Sequence, residues 1–343
     1  MGERVRARGP GRVNLIGEHT DYNAGLALPF AIDRGVTVTA EPLGGDRVQA
    51  RALDLGEADE FALAEPGRAA GWRAFVRGAV AELQAAGYSL RPCRLTIESD
   101  LERGAGLSSS AALETALCLA LLAVAGEDEP ADRRELAKLC SRVENDWVGA
   151  ETGLLDQLAA LCSRPGQAVR IDFATLAIEP VPLDLRGWAL VTLDSGAAHS
   201  IAESGYNERR RECRDACAAL GIGTLREARA ADLDRLPDPL RARARHVIAE
   251  NGRVDAMVAA LRAGDLDAAG RLLDASHASL RDDYAASVPE VERAVERLKA
   301  AGAAGARMVG GGFGGAVLAL LRPGVAAPAG AVPVTLGPRA DLV

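Results

Sequence analysis

Side chains suited to binding a polyol are concentrated between Gly11 and Gly25. The stretch GRVNLIGEHTDYNAG sets carboxylates, an imidazole, amides and a guanidinium among apolar residues: Glu18, Asp21, His19, Asn14, Asn23 and Arg12. A sugar hydroxyl offers one donor and two lone pairs, so a site that selects among sugars needs such groups at fixed positions. The alternative is a strand followed by a solvated turn, because Asp, Asn and Gly are common in turns. A metal site is less favoured, since the segment lacks the paired histidines of a zinc hydrolase and a nearby cysteine pair.

A second segment, residues 104–110, has the composition of an anion-binding loop. It reads GAGLSSS and leads into the apolar run 111–125. Backbone N–H groups and the positive end of the helix dipole would converge there, and three hydroxyls would add donors to phosphate or a ligand to magnesium. The alternative is an ordinary helix cap, with Glu114 in the first turns. A Walker A loop is excluded because Lys138 and Lys299, the only lysines, are far away in sequence, and GAGLSS is a poor match to a dinucleotide fingerprint.

The composition is that of a globular protein with room for two domains. The chain has 343 residues, 48% of them hydrophobic and 26% charged, which excludes disorder as the main state. A net charge of −8 disfavours a nucleic-acid surface, and the arginines at 209–211 and 241–245 are expected on solvated helix faces. Neither a membrane span nor an export signal is expected. Six cysteines without a CxxC pair predict reduced thiols and a cytoplasmic protein.

The elements that must position these segments follow from periodicity. Alternation predicts strands at four places: 36–41, 94–98, 167–172 and 188–193. The run 111–125 predicts a buried helix, and a second helix is expected over 133–148. The stretch 203–299 predicts several amphipathic helices, and 303–321 a glycine loop and a strand. The shift to mostly helical sequence near residue 185 predicts two domains, 1–185 and 186–343.

Several motifs together resemble one enzyme family. Residues 11–32 resemble the galactokinase signature, with the sugar-binding part at 11–25, and 104–116 resemble the ATP-phosphate motif of the wider GHMP kinases (galactokinase, homoserine, mevalonate and phosphomevalonate kinases). Residues 307–315, RMVGGGFGG, are similar to the third motif of that superfamily. Further galactokinase-like stretches are 153–157, 199–213 and 276–284. The resemblance implies a two-domain α+β fold, with a sheet-and-helix N-terminal domain like one found in a ribosomal protein, a helix-rich α+β C-terminal domain, and the active site in the cleft between them.

The resemblance also implies roles for individual residues. Asp156 would be the catalytic carboxylate, which also contacts the sugar, and Arg12 the cation beside it. Ser110 and Glu144 would hold Mg²⁺. The remaining sugar ligands would be Glu18, His19, Asp21, Gly153 and Tyr206. ATP phosphates would lie against Gly104, Ala105, Gly106, Leu107, Ser108, Ser109 and Ser110.

The implied reaction is phosphorylation of the anomeric 1-hydroxyl of galactose by ATP. Without the resemblance, Glu144 would be interpreted as a solvated helix charge and Tyr206 as an aromatic helix anchor. Asn145, Val309 and Ala316 depart from the family's common residues, so nucleotide affinity or loop stability is expected to differ. The histidines His199, His246 and His277 are expected to pack or to form hydrogen bonds rather than bind metal.

Three alternatives stay open. The sugar could be an N-acetylated galactose or arabinose, the protein could be a ligand sensor without turnover, and Asp156 could orient the hydroxyl rather than remove its proton. The expected partners are a small sugar and ATP, with neither nucleic acid nor membrane. The expected oligomeric state is a monomer or a weak homodimer.

Overall fold

A six-stranded mixed sheet carries the sugar-binding signature. The computed structural model describes residues 3–101, 106–150, 152–197 and 202–343. The sheet order is β13-β1-β3-β6-β4-β5, and its strands are β1 (Val5–Asn14), β3 (Pro29–Pro42), β4 (Arg47–Ala52), β5 (Glu57–Ala62), β6 (Cys93–Ser99) and β13 (Asp341–Leu342). The antiparallel register of β1 and β3 shifts between Pro10 and Arg12. Such a bulge bends a strand and redirects its side chains, here at the arginine of the signature.

Four helices pack beside this sheet: α1 (Trp72–Ala85), α2 (Ser109–Ala125), α3 (Arg133–Arg142) and α4 (Leu155–Cys162). Helix α2 is buried along most of its length because nearly all of its side chains are apolar. It approaches β1 so closely that a Cβ on Gly9 would lie 2.0 Å from the carbonyl oxygen of Ala112. Glycine at this position therefore brings the start of α2 against the strand that holds Arg12.

The second half of the chain forms a four-stranded sheet covered by helices. The sheet order is β10-β11-β9-β12, with strands β9 (Ala189–Asp194), β10 (Ala303–Met308), β11 (Ala316–Leu321) and β12 (Ala331–Pro333). The helices are α5 (Ala202–Leu220), α6 (Leu240–Ala263), α7 (Leu266–Asp282) and α8 (Pro289–Ala300). A small sheet of β2 (Leu26–Ala27), β7 (Gln167–Asp172) and β8 (Ala177–Pro182) contacts α6.

Helix α6 also fixes the signature from the other half of the molecule. The backbone N–H of Gly17 donates to Oε1 of Glu250, at 3.0 Å, and Glu250 is fully buried. The hydroxyl of Ser276 and the guanidinium of Arg253 bind the same carboxylate. Burial alone would raise the pKa of Glu250, but the charges of His246 and Arg253 lower it to about 2. The turn that follows β1 is therefore anchored to an ionised group.

The carboxyl-terminal segment returns to the first sheet. Strand β13 pairs with β1, with Leu342 opposite Ala7. The N–H of Ala340 donates to the carbonyl of Ala160 at 2.7 Å. We keep 1–185 and 186–343 as the proposed domain division, because residue 185 lies between β8 and β9, but residues 340–343 pack with the first half.

Most of the predicted elements are confirmed, and two differences have physical causes. The second predicted helix is α-helical only to Arg142 and continues as a π turn, Val143–Val148. Arg209 and Arg243 are buried, so the expectation of solvated faces is wrong for these two. Both guanidinium groups bind Glu212, at 2.8 and 2.7 Å, and the shared carboxylate offsets the cost of burying their charges. In the described part of the chain, no helix is both long and apolar enough to cross a membrane.

Candidate active site

A cleft of about 530 Å³ lies between the signature, the start of α2, the start of α4 and the glycine-rich segment 309–315. It brings together twelve of the predicted site residues: Arg12, Glu18, His19, Asp21, Gly106, Leu107, Ser108, Ser109, Ser110, Gly153, Asp156 and Tyr206. Glu144 is buried behind the lining and interacts with Ser110. The predicted residues Gly104 and Ala105 lie outside the described part of the chain.

Arg12 and Asp156 form a two-pronged ion pair in this cleft. Nε and Nη2 of Arg12 donate to the two carboxylate oxygens of Asp156 at 2.7 and 2.8 Å. Nη1 of Arg12 donates to the carbonyl of Gly106 at 2.8 Å, which fixes the guanidinium against the phosphate loop. Burial disfavours the charge of Arg12, but Asp156 and Glu18 outweigh burial and raise the pKa of the guanidinium. Asp156 therefore sits beside a permanent cation.

Ser108 adds a third donor to the same carboxylate. Its hydroxyl donates to Oδ2 of Asp156 at 2.5 Å. The residue precedes α2 and has a positive φ of 61°, a conformation in which a non-glycine residue is strained. Ser108 was predicted only as part of the phosphate loop. Its contact with Asp156 has no sequence signal, because it depends on the packing of the loop against α4.

Glu144 sits on the π turn as a buried carboxylate. Burial is the main cause that raises its pKa, and the charge of Asp156 is the next; the hydroxyl of Ser110 lowers the pKa. Oε2 of Glu144 accepts from Thr152 Oγ1 at 2.9 Å and from Gln157 Nε2 at 2.8 Å. The alternative of a solvated helix charge is therefore wrong, and Thr152 and Gln157 are positioning residues that the sequence did not reveal.

The surroundings of Glu144 fit a magnesium ion. Glu144 is only 7% exposed, and the groups that bind its carboxylate are neutral: the hydroxyls of Ser110 and Thr152 and the amide of Gln157. No set of three or more His, Cys, Asp or Glu residues forms a protein-only metal cage within the described ranges. Mg²⁺ prefers one or two protein oxygens together with waters and substrate phosphates. The Ser110 hydroxyl and the Glu144 carboxylate are oxygen donors of that kind.

Glu18 is held by Arg307 of β10 and by Gly310 of the glycine-rich segment. Nη2 of Arg307 lies 2.8 Å from Oε1 of Glu18, and the N–H of Gly310 donates to the same oxygen at 2.8 Å. Arg307 is fully buried, and Glu18 is 5% exposed. With Asn23 also 3% exposed, the alternative of a solvated turn is wrong. The third motif was noted in the sequence, but the role of Arg307 in it was not.

Asp21 lies beside Gly153 in the same cleft. A Cβ on Gly153 would come within 1.9 Å of Oδ2 of Asp21, so only glycine fits there without displacing the carboxylate. Burial raises the pKa of Asp21 to about 6, the Tyr22 backbone opposes this, and the charges of Asp156 and Glu18 add to it. Asp21 therefore changes charge in the mildly acidic range.

His19 and Tyr206 form an aromatic wall. Their ring centroids are 5.4 Å apart, and His19 has a positive φ of 61°. Burial, followed by the charge of His246, lowers the pKa of His19 to about 3, so the imidazole is neutral at pH 7. Burial raises the pKa of Tyr206, which keeps its hydroxyl protonated. Both rings can therefore exchange hydrogen bonds with a neutral polyol.

Known proteins match this chain along almost all of its length. Three family models match: the galactokinase galactose-binding signature over 2–42, the GHMP kinases N-terminal domain over 74–164 and the GHMP kinases C-terminal model over 257–331. Galactokinases of a Roseiflexus species, Mycobacterium tuberculosis and Thermotoga neapolitana are 44, 46 and 41% identical. The alignments cover 92, 91 and 93% of this chain and 83, 87 and 90% of theirs. The chain belongs to the galactokinase family.

Solved structures confirm the fold predicted from the galactokinase motifs. The crystal structure of Lactococcus lactis galactokinase complexed with galactose matches with a TM-score of 0.92 at 34% identity. The match covers 99% of this chain and 95% of that one. A mevalonate kinase at 18% identity matches with a TM-score of 0.66 and shows the shared GHMP kinase fold alone. The two-domain α+β architecture is confirmed, and ATP use follows from membership of the galactokinase family and its superfamily.

Proposed function

We propose that this protein transfers the terminal phosphoryl group of ATP to the anomeric 1-hydroxyl of galactose, giving galactose 1-phosphate and ADP. The observation that carries the proposal is the Arg12–Asp156 pair, which lies in one cleft with sugar-signature residues and the phosphate loop. A carboxylate and a cation next to the start of a helix are the groups that phosphoryl transfer to a hydroxyl requires. The family membership supports galactose as the acceptor.

The proposed step moves one proton and one phosphoryl group. The O1–H bond of the sugar breaks and its proton passes to Asp156, a new bond forms between O1 and the γ-phosphorus, and the bond to the bridging oxygen of ADP breaks. Asp156 then releases the proton to solvent. A positioned base contributes roughly 10²–10⁴-fold to such a rate. Asp156 would instead orient O1 if the transition state is loose, in which case little charge develops on the attacking oxygen.

Arg12 is proposed to keep Asp156 ionised and to compensate charge on the transferring group. Its Nη1 already binds the Gly106 carbonyl, so the same guanidinium connects the carboxylate and the phosphate loop. When bound to Ser110 and Glu144, Mg²⁺ would neutralise charge on the nucleotide phosphates. The backbone N–H groups at the start of α2, from Leu107 to Ser110, are suited to bind those phosphates.

The sugar hydroxyls are proposed to contact Glu18, His19, Asp21, Gly153 and Tyr206. The carboxylates accept hydrogen bonds and the neutral aromatic groups both give and receive them, so the set can distinguish the positions of hydroxyls on a ring. The close contact of Gly153 with Asp21 leaves little room on that side. This favours galactose over an N-acetylated sugar, which needs a wider pocket.

An ADP-release assay with a sugar panel tests the function. We expect ATP- and Mg²⁺-dependent ADP release with galactose, and much slower release with glucose, arabinose and N-acetylgalactosamine. Stabilisation against heat by galactose and nucleotide without ADP release would contradict the proposal and identify a sensor. Faster turnover of another sugar would overturn galactose as the substrate.

Location and assembly are also proposals. We place the protein in the cytoplasm, as a monomer or weak homodimer. The six cysteines are all unpaired thiols, which suits a reducing compartment. Sedimentation at several protein concentrations would test the oligomeric state.

A further inference from the structure

One ring nitrogen of His19, Nδ1, has a hydrogen-bond partner, and the other, Nε2, is available to a ligand in the cleft. Nδ1 lies 2.8 Å from the hydroxyl of Tyr22. Nε2 is buried and makes no hydrogen bond of acceptable geometry among the described residues, although the Gly311 backbone is near enough to the ring to raise the pKa of His19. The His19 side chain lines the cleft. A neutral imidazole carries its proton on one nitrogen only, so the group bound at Nδ1 decides what Nε2 offers.

A hydrogen-bond chain that is buried at Tyr284 and Cys213 continues behind His19. The Tyr22 hydroxyl lies 2.8 Å from the Tyr284 hydroxyl, and the Tyr284 hydroxyl lies 3.1 Å from Sγ of Cys213. Nδ2 of Asn23 donates to the His19 carbonyl at 2.8 Å and to Sγ of Cys213 at 3.6 Å. The carbonyl contact fixes the orientation of the Asn23 amide, because a flipped amide would set two oxygens against each other.

The hydrogen bonds of this chain can point in one of two directions, and the available donors favour the direction that runs from Cys213 to His19. If Nδ1–H of His19 donated to Tyr22 and Tyr22 donated to Tyr284, the Tyr284 hydroxyl would donate to the Cys213 sulfur, which already accepts from Asn23. Sulfur is a weak acceptor, and its own S–H would then lack a partner in the chain. If the Tyr22 oxygen accepted from both His19 and Tyr284, its own proton would have no further partner among the described residues. In the opposite direction Cys213 donates to Tyr284, Tyr284 to Tyr22, and Tyr22 to Nδ1. Every O–H then meets an oxygen or nitrogen.

We infer that Tyr22, backed by Tyr284 and Cys213, holds His19 with its proton on Nε2, so that His19 donates a hydrogen bond to a substrate hydroxyl. The inference rests on the proposed function for the identity of that hydroxyl. The hydroxyl oxygen accepts from His19 and gives its own proton to a carboxylate of the cleft, Glu18 or Asp21. Such a pair of partners recognises a hydroxyl and rejects a group that cannot both give and accept. Tyr22 is thus a positioning residue that determines specificity.

Nitrogen-15 NMR of the protein without substrate tests the tautomer directly. The chain has four histidines, and the His19 signals are those lost in His19→Gln. At pH 7 we expect a protonated Nε2 and an unprotonated Nδ1, and a mixture of both forms in Tyr22→Phe. A wild-type His19 protonated on Nδ1 or on both nitrogens would overturn the inference. Tyr88 lies outside the cleft and takes no part in the hydrogen-bond chain behind His19. Tyr88→Phe is therefore the matched control and is expected to leave the His19 signals unchanged.

Ligand binding tests the specificity. In Tyr22→Phe we expect the galactose dissociation constant to rise roughly three- to tenfold, the loss of one neutral hydrogen bond, with ATP binding unchanged. Across the monodeoxygalactoses this penalty should vanish for one sugar only, the one that lacks the hydroxyl bound by His19. An equal penalty for every sugar would show that Tyr22 acts on general structure and would refute the specificity role.

The two proposals fail in different ways. An Nε2-protonated His19 in a protein that releases no ADP with galactose would refute the proposed function and support the inference about His19. Galactose phosphorylation by a protein whose His19 is protonated on Nδ1 would do the reverse.

Discussion

Arg307 and Glu18 form an ion pair that is shielded from solvent and joins the two most distant motifs of the chain. Nη2 of Arg307 lies 2.8 Å from Oε1 of Glu18, and Nη1 donates to the Asn14 carbonyl at 2.9 Å. The glycine-rich segment that begins after β10 is thereby fixed against the end of β1. The sugar-binding and nucleotide-binding sides of the cleft consequently share one rigid support.

Replacing Arg307 should therefore destabilise the whole protein. Arg307→Met leaves the Glu18 carboxylate buried without its cation, and we expect the free energy of unfolding to fall by about 3–5 kcal/mol. Urea unfolding followed by circular dichroism measures this loss. Arg293→Met, which removes an exposed helical pair with Glu290, should leave the free energy of unfolding almost unchanged. Equal losses of unfolding free energy in the two variants would show that the buried pair stabilises the fold no more than an exposed pair does.

Asp156 should control turnover more than binding. For Asp156→Asn and Asp156→Ala we expect kcat to fall roughly 10²–10⁴-fold, because both lose the group that accepts the O1 proton. Steady-state kinetics with galactose and ATP measure the effect. Asp255→Asn removes an exposed partner of Arg170 and should leave kcat unchanged. Near-normal turnover in both Asp156 variants would show that the carboxylate is not the base.

A methyl group at Gly153 should damage the sugar side of the cleft selectively. Its carbon would overlap Oδ2 of Asp21, so Asp21 must move, and we expect the KM for galactose in Gly153→Ala to rise about tenfold or more. The KM for ATP should change little. Gly252→Ala is the control, because that helical position has open space and alanine favours helices, by about 1 kcal/mol. A rise in both KM values would indicate a collapse of the cleft instead.

The affinity for galactose should depend on pH through Asp21. Burial raises the pKa of Asp21 to about 6, from 3.8 for an exposed carboxyl. Its protonated form is thus favoured by folding, so its contribution to stability is present below pH 3.8 and is lost as the pH rises through 6. Only the ionised form accepts with both oxygens, so the KM for galactose should fall as the pH rises from 5 to 7.

The Asp21→Asn variant provides the test of that assignment. We expect its KM for galactose to be higher and to lose the change centred near pH 6. His19 cannot supply this transition, because its pKa is lowered to about 3. A KM profile that is the same in wild type and Asp21→Asn would assign the titration to another group.

Magnesium dependence should change on loss of Glu144. In Glu144→Gln one ligand charge disappears, and we expect about tenfold more Mg²⁺ for half-maximal activity. The additional thermal stabilisation that Mg²⁺ gives to the ADP complex should also weaken, a readout that needs no turnover. Glu296→Gln, an exposed change on α8, is the control. An unchanged Mg²⁺ requirement would remove Glu144 from the metal site.

The sequence suggested candidate site residues but not the contacts that support them. Arg12 and Asp21 were proposed from residue types within one segment, and Asp156 from the galactokinase-like stretch 153–157; the structure places all three in one cleft. The partners of Glu18 and Glu144 were not identified, since Arg307 and Gln157 meet them only after distant segments pack. The same reason explains Arg209, whose burial depends on where Glu212 comes to lie.

Local irregularities of the helices could not be predicted from the sequence either. The π turn at Val143–Val148 extends a helical pattern that looks regular in the sequence, yet it places Glu144 behind the phosphate loop. Helix α2 was predicted from composition alone, since an unbroken apolar run with good helix formers needs no tertiary information.

The pairing of β13 with β1 constrains how the molecule is assembled. The strand that carries Arg12 acquires one of its two neighbours from residues 341–342, at the opposite end of the sequence. A chain emerging from the ribosome must therefore be synthesised beyond residue 342 before this sheet can close, and loop closure over such a span is slow. Until then one edge of β1 is available to other polypeptides, so a holding chaperone would find its target at Val5–Asn14.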